Sequence, residues 1–190
     1  MGHVHYYFLF ACVAYWTPLR VTAVNDFSWA NCDGKSLPVT IQTLTILPDG
    51  LRFPGEMTMS TILNTTVALT SPIKMKVTAE KFMQEWIMIP CLNEVGSCTY
   101  DDFCDILNRL IKPGKPCPGP LHTHGLPCRC PFQSGSYYLP VTSFHVPDLH
   151  LPATFTSGNY RISVVLNQGD QEIGCVKINF SLARSFSHLP

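Results

Sequence analysis

The residues best suited to chemistry lie close together in one proline-rich segment. His122 and His124 precede Cys128 and Cys130, and two imidazoles with two thiolates form a ligand set that zinc accepts. A Cys-x-Cys pair in a secreted chain with an even number of cysteines more often belongs to two disulfides, and an oxidised cysteine cannot donate a thiolate. We therefore expect disulfides here, and neither a metal site nor a cofactor.

Candidate catalytic groups give little support for an enzyme. The chain contains no Gly-x-Ser-x-Gly pattern of the kind that presents a hydrolase nucleophile. Asp101 and Asp102 could perform acid/base chemistry, but acids near the start of a helix are also favoured by the helix dipole. The sequence therefore favours a binding protein, with a lipid-cleaving enzyme as a rival that product formation by the purified protein would reveal.

Large apolar side chains occur where connections between strands are expected. They are Phe82, Met83, Trp86, Leu126, Pro127 and Phe155. Exposed apolar side chains often mark contact surfaces, although each of these could instead pack in the core. We interpret the set as candidates for the wall or rim of a lipid cavity.

The elements that must position these residues are mainly β-strands. In residues 73–82, Ile73, Met75 and Val77 alternate with Lys74 and Lys76, which is the period of a strand with one buried face. Similar runs predict strands at residues 39–47, 56–63, 86–89, 143–146, 160–166 and 173–182. Turn sequences rich in Pro, Gly, Asn and Asp separate the runs, so we expect a mainly antiparallel β protein.

One segment has helical periodicity instead. Its apolar residues predict a short amphipathic helix over about residues 100–111, which Pro113 and Gly114 cannot continue. Residues 112–132 hold six prolines and three cysteines. No regular element is expected in this loop, and disulfides are expected to hold its shape.

The N-terminal segment and the cysteine count point to an oxidising compartment. The apolar run at residues 6–16 is too short to span a bilayer and predicts a signal peptide over residues 1–23, followed by a single domain over residues 24–190. Without Cys12 eight cysteines remain, which could pair in about 105 ways. With sequons at Asn64 and Asn179, the sequence predicts a secreted or lysosomal glycoprotein.

Composition excludes some partners. With 46% hydrophobic and 14% charged residues the chain can bury a core, so disorder is not expected. The 13 basic residues are balanced by 13 acidic ones, so the chain lacks the positive excess that nucleic-acid binding requires.

The eight cysteines lie in recognisable motifs. They include Ile89-Pro90-Cys91, Gly96-Ser97-Cys98, Phe103-Cys104-Asp105, Gly125-Leu126-Pro127-Cys128, Cys130-Pro131-Phe132 and Gly174-Cys175. In order and surroundings, over about residues 27–182, these motifs resemble those of the lysosomal ganglioside activators. Members of that family are sphingolipid activators that present a ganglioside to β-hexosaminidase A.

The resemblance implies an antiparallel β-cup around an apolar lipid cavity, with one short amphipathic helix and four disulfides. It implies the pairs Cys32–Cys175, Cys91–Cys98, Cys104–Cys130 and Cys117–Cys128. It also implies a non-enzymatic role, in which the protein binds peripherally to a membrane and extracts a glycosphingolipid for a glycosidase.

Three positions depart from the family pattern. Glu85 puts a charge in a loop that is usually apolar, Thr154 replaces a second rim tryptophan beside Phe155, and Glu56 replaces the usual glycosylation site. These departures fit a divergent relative. The alternative function is a secreted lipid-transfer or lipid-sensing module with another cargo and no glycosidase partner.

Overall fold

The structure is a computed structural model that describes residues 27–32, 36–146 and 155–184. The predicted signal peptide, residues 1–23, lies outside the described residues. The described ranges contain ten strands and two short helices. The strands are β1 (Ser28–Asn31), β2 (Val39–Leu47), β3 (Leu51–Phe53), β4 (Gly55–Thr65), β5 (Lys74–Phe82), β6 (Trp86–Met88), β7 (Thr99–Tyr100), β8 (Gly135–Val146), β9 (Gly158–Gln168) and β10 (Gln171–Arg184). The helices are α1 (Phe103–Leu110) and α2 (Gly119–Thr123).

The strands form one sheet that does not close on itself within the described ranges. Seven of them follow in the order β6, β5, β9, β10, β2, β4 and β8, while β1 and β3 pair with β10 and β7 pairs with β5. The pairs are antiparallel, except that β10 runs parallel to β2 and to β3. The prediction of a mainly antiparallel β-fold is confirmed, and the two parallel pairings are features that alternation along one strand cannot reveal.

Each predicted run overlaps a strand, while the short strands β1, β3 and β7 were not predicted and β8 is much longer than predicted. Strand β2 has the predicted bounds, and β5 begins one residue later than predicted. Strand β8 begins at Gly135, whereas the sequence predicts a start at residue 143. The prediction misses the first part of the strand because Pro140 interrupts the alternating pattern without ending the strand. Proline is tolerated here since β8 lies at the edge of the sheet, where a missing N–H need not break a ladder.

Helix α1 starts later than the predicted residue 100. Asp102 has an extended backbone and caps the helix, since its side chain accepts a hydrogen bond from the Cys104 N–H. Tyr100 belongs instead to β7. The helix ends at Leu110, before Pro113, as its sequence predicts.

The expectation that residues 112–132 contain no regular element is wrong. Helix α2 occupies Gly119–Thr123, with a proline at its start. A proline in the first helical turn removes an N–H that has no partner within the helix, so it permits a helix where a count of prolines argues against one.

The core is small and lies beside α1. It contains Val39, Leu69, Ile73, Cys104 and Ile173, of which Ile73 is 1% exposed. The cysteine pairs at disulfide distance have Cα atoms 4.9–5.8 Å apart and are Cys32–Cys175, Cys91–Cys98, Cys104–Cys130 and Cys117–Cys128. These are the pairs that the resemblance implies.

Candidate functional site

An apolar cavity of about 330 Å³ lies between the sheet and the proline-rich loop. One wall comes from strands β2, β4, β8 and β9 and consists of Val39, Met59, Thr61, Leu63, Tyr137, Leu139 and Leu166. The facing wall comes from α1, α2 and the connecting segments and consists of Leu69, Phe103, Leu121, Leu126, Pro127 and Phe132. The cavity volume is at the lower end of the range found for small-molecule sites.

The cavity presents few polar groups to a ligand. Among the side chains that line it, hydroxyls occur on Thr61 and Tyr137. The Thr61 hydroxyl donates to the Thr43 carbonyl at 2.9 Å, and the Tyr137 hydroxyl donates to the Gln133 carbonyl at 2.5 Å. Since both donors are already engaged, the cavity suits hydrocarbon far better than a polar solute.

The apolar surface continues from the cavity along the sheet. In the strand register, Leu166 lies opposite Met75 and Tyr160 lies opposite Lys81. Because alternate residues share a face, the face of β5, β9 and β10 that carries Leu166 also carries Met75, Val77, Ala79, Tyr160, Ile162, Val164, Val176, Ile178 and Phe180. From Leu166 to Tyr160 this apolar face is about 20 Å long, given the rise of a β-strand. Many of its side chains are only half-buried, so none of the described elements fully covers it.

The opposite face of the same strands is polar and carries a cluster that joins three strands. Arg161 of β9 donates two hydrogen bonds to the Glu80 carboxylate of β5, and its guanidinium carbon lies 4.6 Å from the centroid of the Trp86 ring of β6. The hydrogen bond from Arg161 lowers the pKa of Glu80, against the opposing effect of burial. Phe82 also contacts this ring, with centroids 5.4 Å apart. Trp86 therefore lies on the face away from the cavity.

A second, open depression of about 740 Å³ lies at the β5–β6 hairpin. It is lined by Lys81, Phe82, Met83, Gln84, Glu85, Ile87, Ser157 and Gly158. Charged and polar side chains alternate here with exposed apolar ones, Met83 being 66% exposed. We refer to this depression, defined by those residues, as the hairpin depression.

The six residues singled out from the sequence fall into different places. Leu126 and Pro127 line the apolar cavity, whereas Phe82 and Met83 line the hairpin depression. These two sites share no lining residue. Trp86 packs on the polar face, half-buried. Phe155, also half-buried, follows the undescribed segment 147–154 and lines neither site.

Arg129 is a residue whose role the sequence did not suggest. Its guanidinium donates to the carbonyl oxygens of Ile111, Lys112 and Lys115, at 3.3, 2.7 and 2.7 Å. It thereby satisfies backbone acceptors that follow α1 and holds the loop that carries Leu126 against the cavity. The only sequence signal was its position between two cysteines.

The histidine and cysteine pattern does not form a zinc site. Cys128 pairs with Cys117 and Cys130 pairs with Cys104, so neither sulfur is a free thiolate. Within the described parts of the chain, no three His, Cys, Asp or Glu side chains converge in a way that could hold a metal ion. No helix in those parts has both the length and the hydrophobicity needed to cross a bilayer.

The two sequon asparagines differ in accessibility. Asn179 is exposed on β10 and its amide donates to the Ser28 hydroxyl at 3.0 Å. Asn64 is half-buried, and its side-chain oxygen Oδ1 is buried with no hydrogen-bond partner among the described residues. At the position of the family's usual sequon, Glu56 pairs with His145 of β8 at 2.7 Å.

Comparison with known proteins places the chain in a family. The ML domain family matches residues 26–182. The mouse ganglioside GM2 activator is 46% identical over 87% of this chain and 86% of its own length, and the Macaca fascicularis ganglioside GM2 activator is 48% identical over 84% of each. Among solved structures, a Niemann-Pick type C2 protein from the Japanese carpenter ant is similar over 82% of this chain and 99% of its own, at 14% identity and a TM-score of 0.42. This chain therefore belongs to the ML domain family, with the ganglioside GM2 activators among its relatives.

Proposed function

We propose that this protein binds a glycosphingolipid, extracts it from a membrane and presents it to a lysosomal glycosidase without catalysing the reaction itself. The observation that carries the proposal is the continuous apolar surface formed by the cavity and the half-buried face of β5, β9 and β10. Burying hydrocarbon away from water is favourable by roughly 25 cal/mol per Å² of buried surface. A protein must therefore cover most of a lipid chain to compete with a bilayer.

Peripheral contact with the membrane is supported by the β5–β6 hairpin. Phe82, Met83, Ile87 and Met88 are all exposed there, although large apolar side chains are usually buried. This exposed apolar cluster lies beside one end of the apolar face. It would let the hairpin enter the membrane surface while the hydrocarbon chain of a lipid moves from the membrane to the protein.

The relatives support the glycosidase partner, and the disulfides support the compartment. Both curated relatives are named as activators of ganglioside GM2, which supports a ganglioside cargo and, by the resemblance, β-hexosaminidase A as the enzyme served. Four disulfides support secretion or delivery to the lysosomal lumen, because disulfides persist in oxidising compartments.

The test is extraction of GM2 ganglioside from vesicles by the secreted protein. Wild type is expected to move the lipid into the soluble fraction and to raise its hydrolysis by β-hexosaminidase A. Leu126→Gln puts an amide in the cavity wall and is expected to weaken extraction. Leu110→Gln is the matched control, since Leu110 is 75% exposed on α1 and lines no part of the cavity.

The possible outcomes separate the proposal from its rivals. Extraction without any stimulation of β-hexosaminidase A would favour a lipid-transfer module. Glu85 supports this alternative because it places a charge in the hairpin depression. Hydrolysis of the lipid by the protein alone would identify an enzyme. Equal extraction by Leu110→Gln and Leu126→Gln would contradict a role for the cavity.

A further inference from the structure

The apolar face ends at a cation. Lys81 follows Met75, Val77 and Ala79 along the same face of β5 and lies opposite Tyr160 of β9. Its ammonium nitrogen is 5.7 Å from the centroid of the Tyr160 ring, which in turn stacks on Phe180. Tyr160 is 5% exposed, and this contact places the ammonium at the hairpin end of the apolar face.

Gly158 leaves the space through which the lysine reaches this place. A Cβ atom on Gly158 would lie 2.9 Å from the Lys81 Cε and 3.6 Å from its Nζ. The glycine also has a φ of +117°, which other residues rarely adopt. The side chain of Lys81 thus crosses the start of β9 and reaches the hairpin depression, whose wall it forms together with Gly158.

The hairpin depression has the chemistry of a polar headgroup site. Gln84 and Ser157 supply neutral hydrogen-bonding groups, and Lys81 supplies positive charge. Glu85 lines the same depression and opposes that charge. Apolar Met83 and Ile87 complete the lining beside them.

We propose that the hairpin depression binds the anionic headgroup, a carboxylate or a phosphate, of a lipid whose hydrocarbon chain lies on the apolar face. Lys81 contacts the anion, and Glu85 limits how strongly the anion binds. This inference rests on the proposed function, because it assumes that the apolar face holds lipid. It adds the place where an anionic headgroup binds and the residues that recognise it.

The experiment compares two soluble lipids with the same oleoyl chain, each kept below its critical micelle concentration so that no membrane is present. Lysophosphatidic acid carries an anionic headgroup and monooleoylglycerol a neutral one. Lys81→Gln is expected to weaken lysophosphatidic acid binding about tenfold, the loss of one charge-assisted contact, and to leave monooleoylglycerol unchanged. Lys81→Arg is expected to retain the preference for lysophosphatidic acid over monooleoylglycerol, and Glu85→Gln is expected to increase that preference.

Lys76→Gln is the matched control, since Lys76 is exposed on the same strand but on the opposite face. Inorganic phosphate is added as a competitor and is expected not to displace the lipid, because free phosphate gains nothing from the apolar face. The subsite is overturned if Lys81→Gln affects both lipids equally or neither, if Lys76→Gln acts like Lys81→Gln, or if phosphate alone competes. Failure of the wild type to bind either lipid would also overturn the subsite, whereas failure to extract GM2 ganglioside from vesicles would overturn the proposed function.

Discussion

The guanidinium group of Arg161 lies over the ring of Trp86, with its central carbon 4.6 Å from the ring centroid. The same group holds the Glu80 carboxylate, so one side chain of β9 contacts β5 and β6 together. Strand β6 is short and lies at the edge of the sheet, paired with β5 over three residues. Arg161 therefore holds the base of the β5–β6 hairpin from the polar face of the sheet, opposite the apolar face.

Removing this contact is expected to loosen the hairpin. Arg161→Gln should lower the melting temperature slightly and make Trp86 more accessible to acrylamide, because both the cation–π contact and the paired hydrogen bonds to Glu80 are lost. Fluorescence is measured in a Trp29→Phe background, so that Trp86 dominates the signal. Arg109→Gln removes the exposed pair with Glu94 and should leave Trp86 quenching unchanged. Equal quenching in all three proteins would contradict the positioning role.

Asp102 is expected to stabilise the fold in a pH-dependent manner. Burial of its carboxylate raises the pKa, but hydrogen bonds from Ser71, Ile73 and Cys104 outweigh this, so the pKa lies below its ordinary value of 3.8. A carboxyl group with a lowered pKa stabilises the fold above the unfolded-state pKa and loses that effect as the pH falls through the folded-state pKa. The contribution of Asp102 should therefore persist at pH 5.

Asp102→Ala tests this expectation. Loss of the cap should cost about 1–2 kcal/mol in urea unfolding at pH 7 and at pH 5, and the difference from wild type should shrink near pH 3. Asp101→Ala is the control, since the neighbouring Asp101 is exposed and does not cap α1. A difference that grew on acidification would refute the assigned role.

The Cys32–Cys175 disulfide should stabilise the fold most among the four, because it closes the longest loop. Its cysteines are 143 residues apart, compared with 11 for Cys117 and Cys128. In the chain-entropy description, replacing both cysteines by serine should cost about 5 kcal/mol for the first pair and about 3 kcal/mol for the second. Unfolding under non-reducing conditions measures both values. The reverse order of costs would argue against the entropic account.

Asn179 is expected to carry the glycan when the chain passes through the secretory pathway. Its side chain is exposed, whereas Asn64 is half-buried and its side-chain oxygen is shielded from solvent. Asn179→Gln should abolish the loss of mass on treatment with a peptide N-glycosidase, and Asn64→Gln should leave it intact. Mass spectrometry of the secreted proteins decides between the sites, and a glycan present only on Asn64 would reverse the assignment.

The sequence predicts local features well because they depend on local periodicity. Alternation defines β2 and β5, and Pro113 limits α1. Helix α2 escapes prediction because it is a single short turn among prolines, and the early start of β8 escapes because Pro140 interrupts the pattern. The bridging of β10 to β2 and β3 depends on parallel pairings that no single segment encodes.

The candidate site is harder to predict because it depends on register. Trp86 and Phe82 look like rim residues in the sequence, but the pairing of β5 with β6 places both on the face opposite Lys81. Leu126 and Pro127 are recognisable as apolar loop residues, yet their place in the cavity wall depends on the adjacent Cys117–Cys128 disulfide and on Arg129. A shift of one residue in a strand would exchange its two faces, which explains why composition alone cannot assign them.

The two walls of the cavity are held in place by different kinds of bond. The strand wall is set by ladder hydrogen bonds, so changing it risks the register of the whole sheet. The part of the loop wall that carries Leu121 and Leu126 is held by disulfides and by Arg129, and neither of these two residues belongs to a strand. The size and shape of the cavity can therefore be changed from the loop side without altering strand register, so one sheet can support cavities of different shapes.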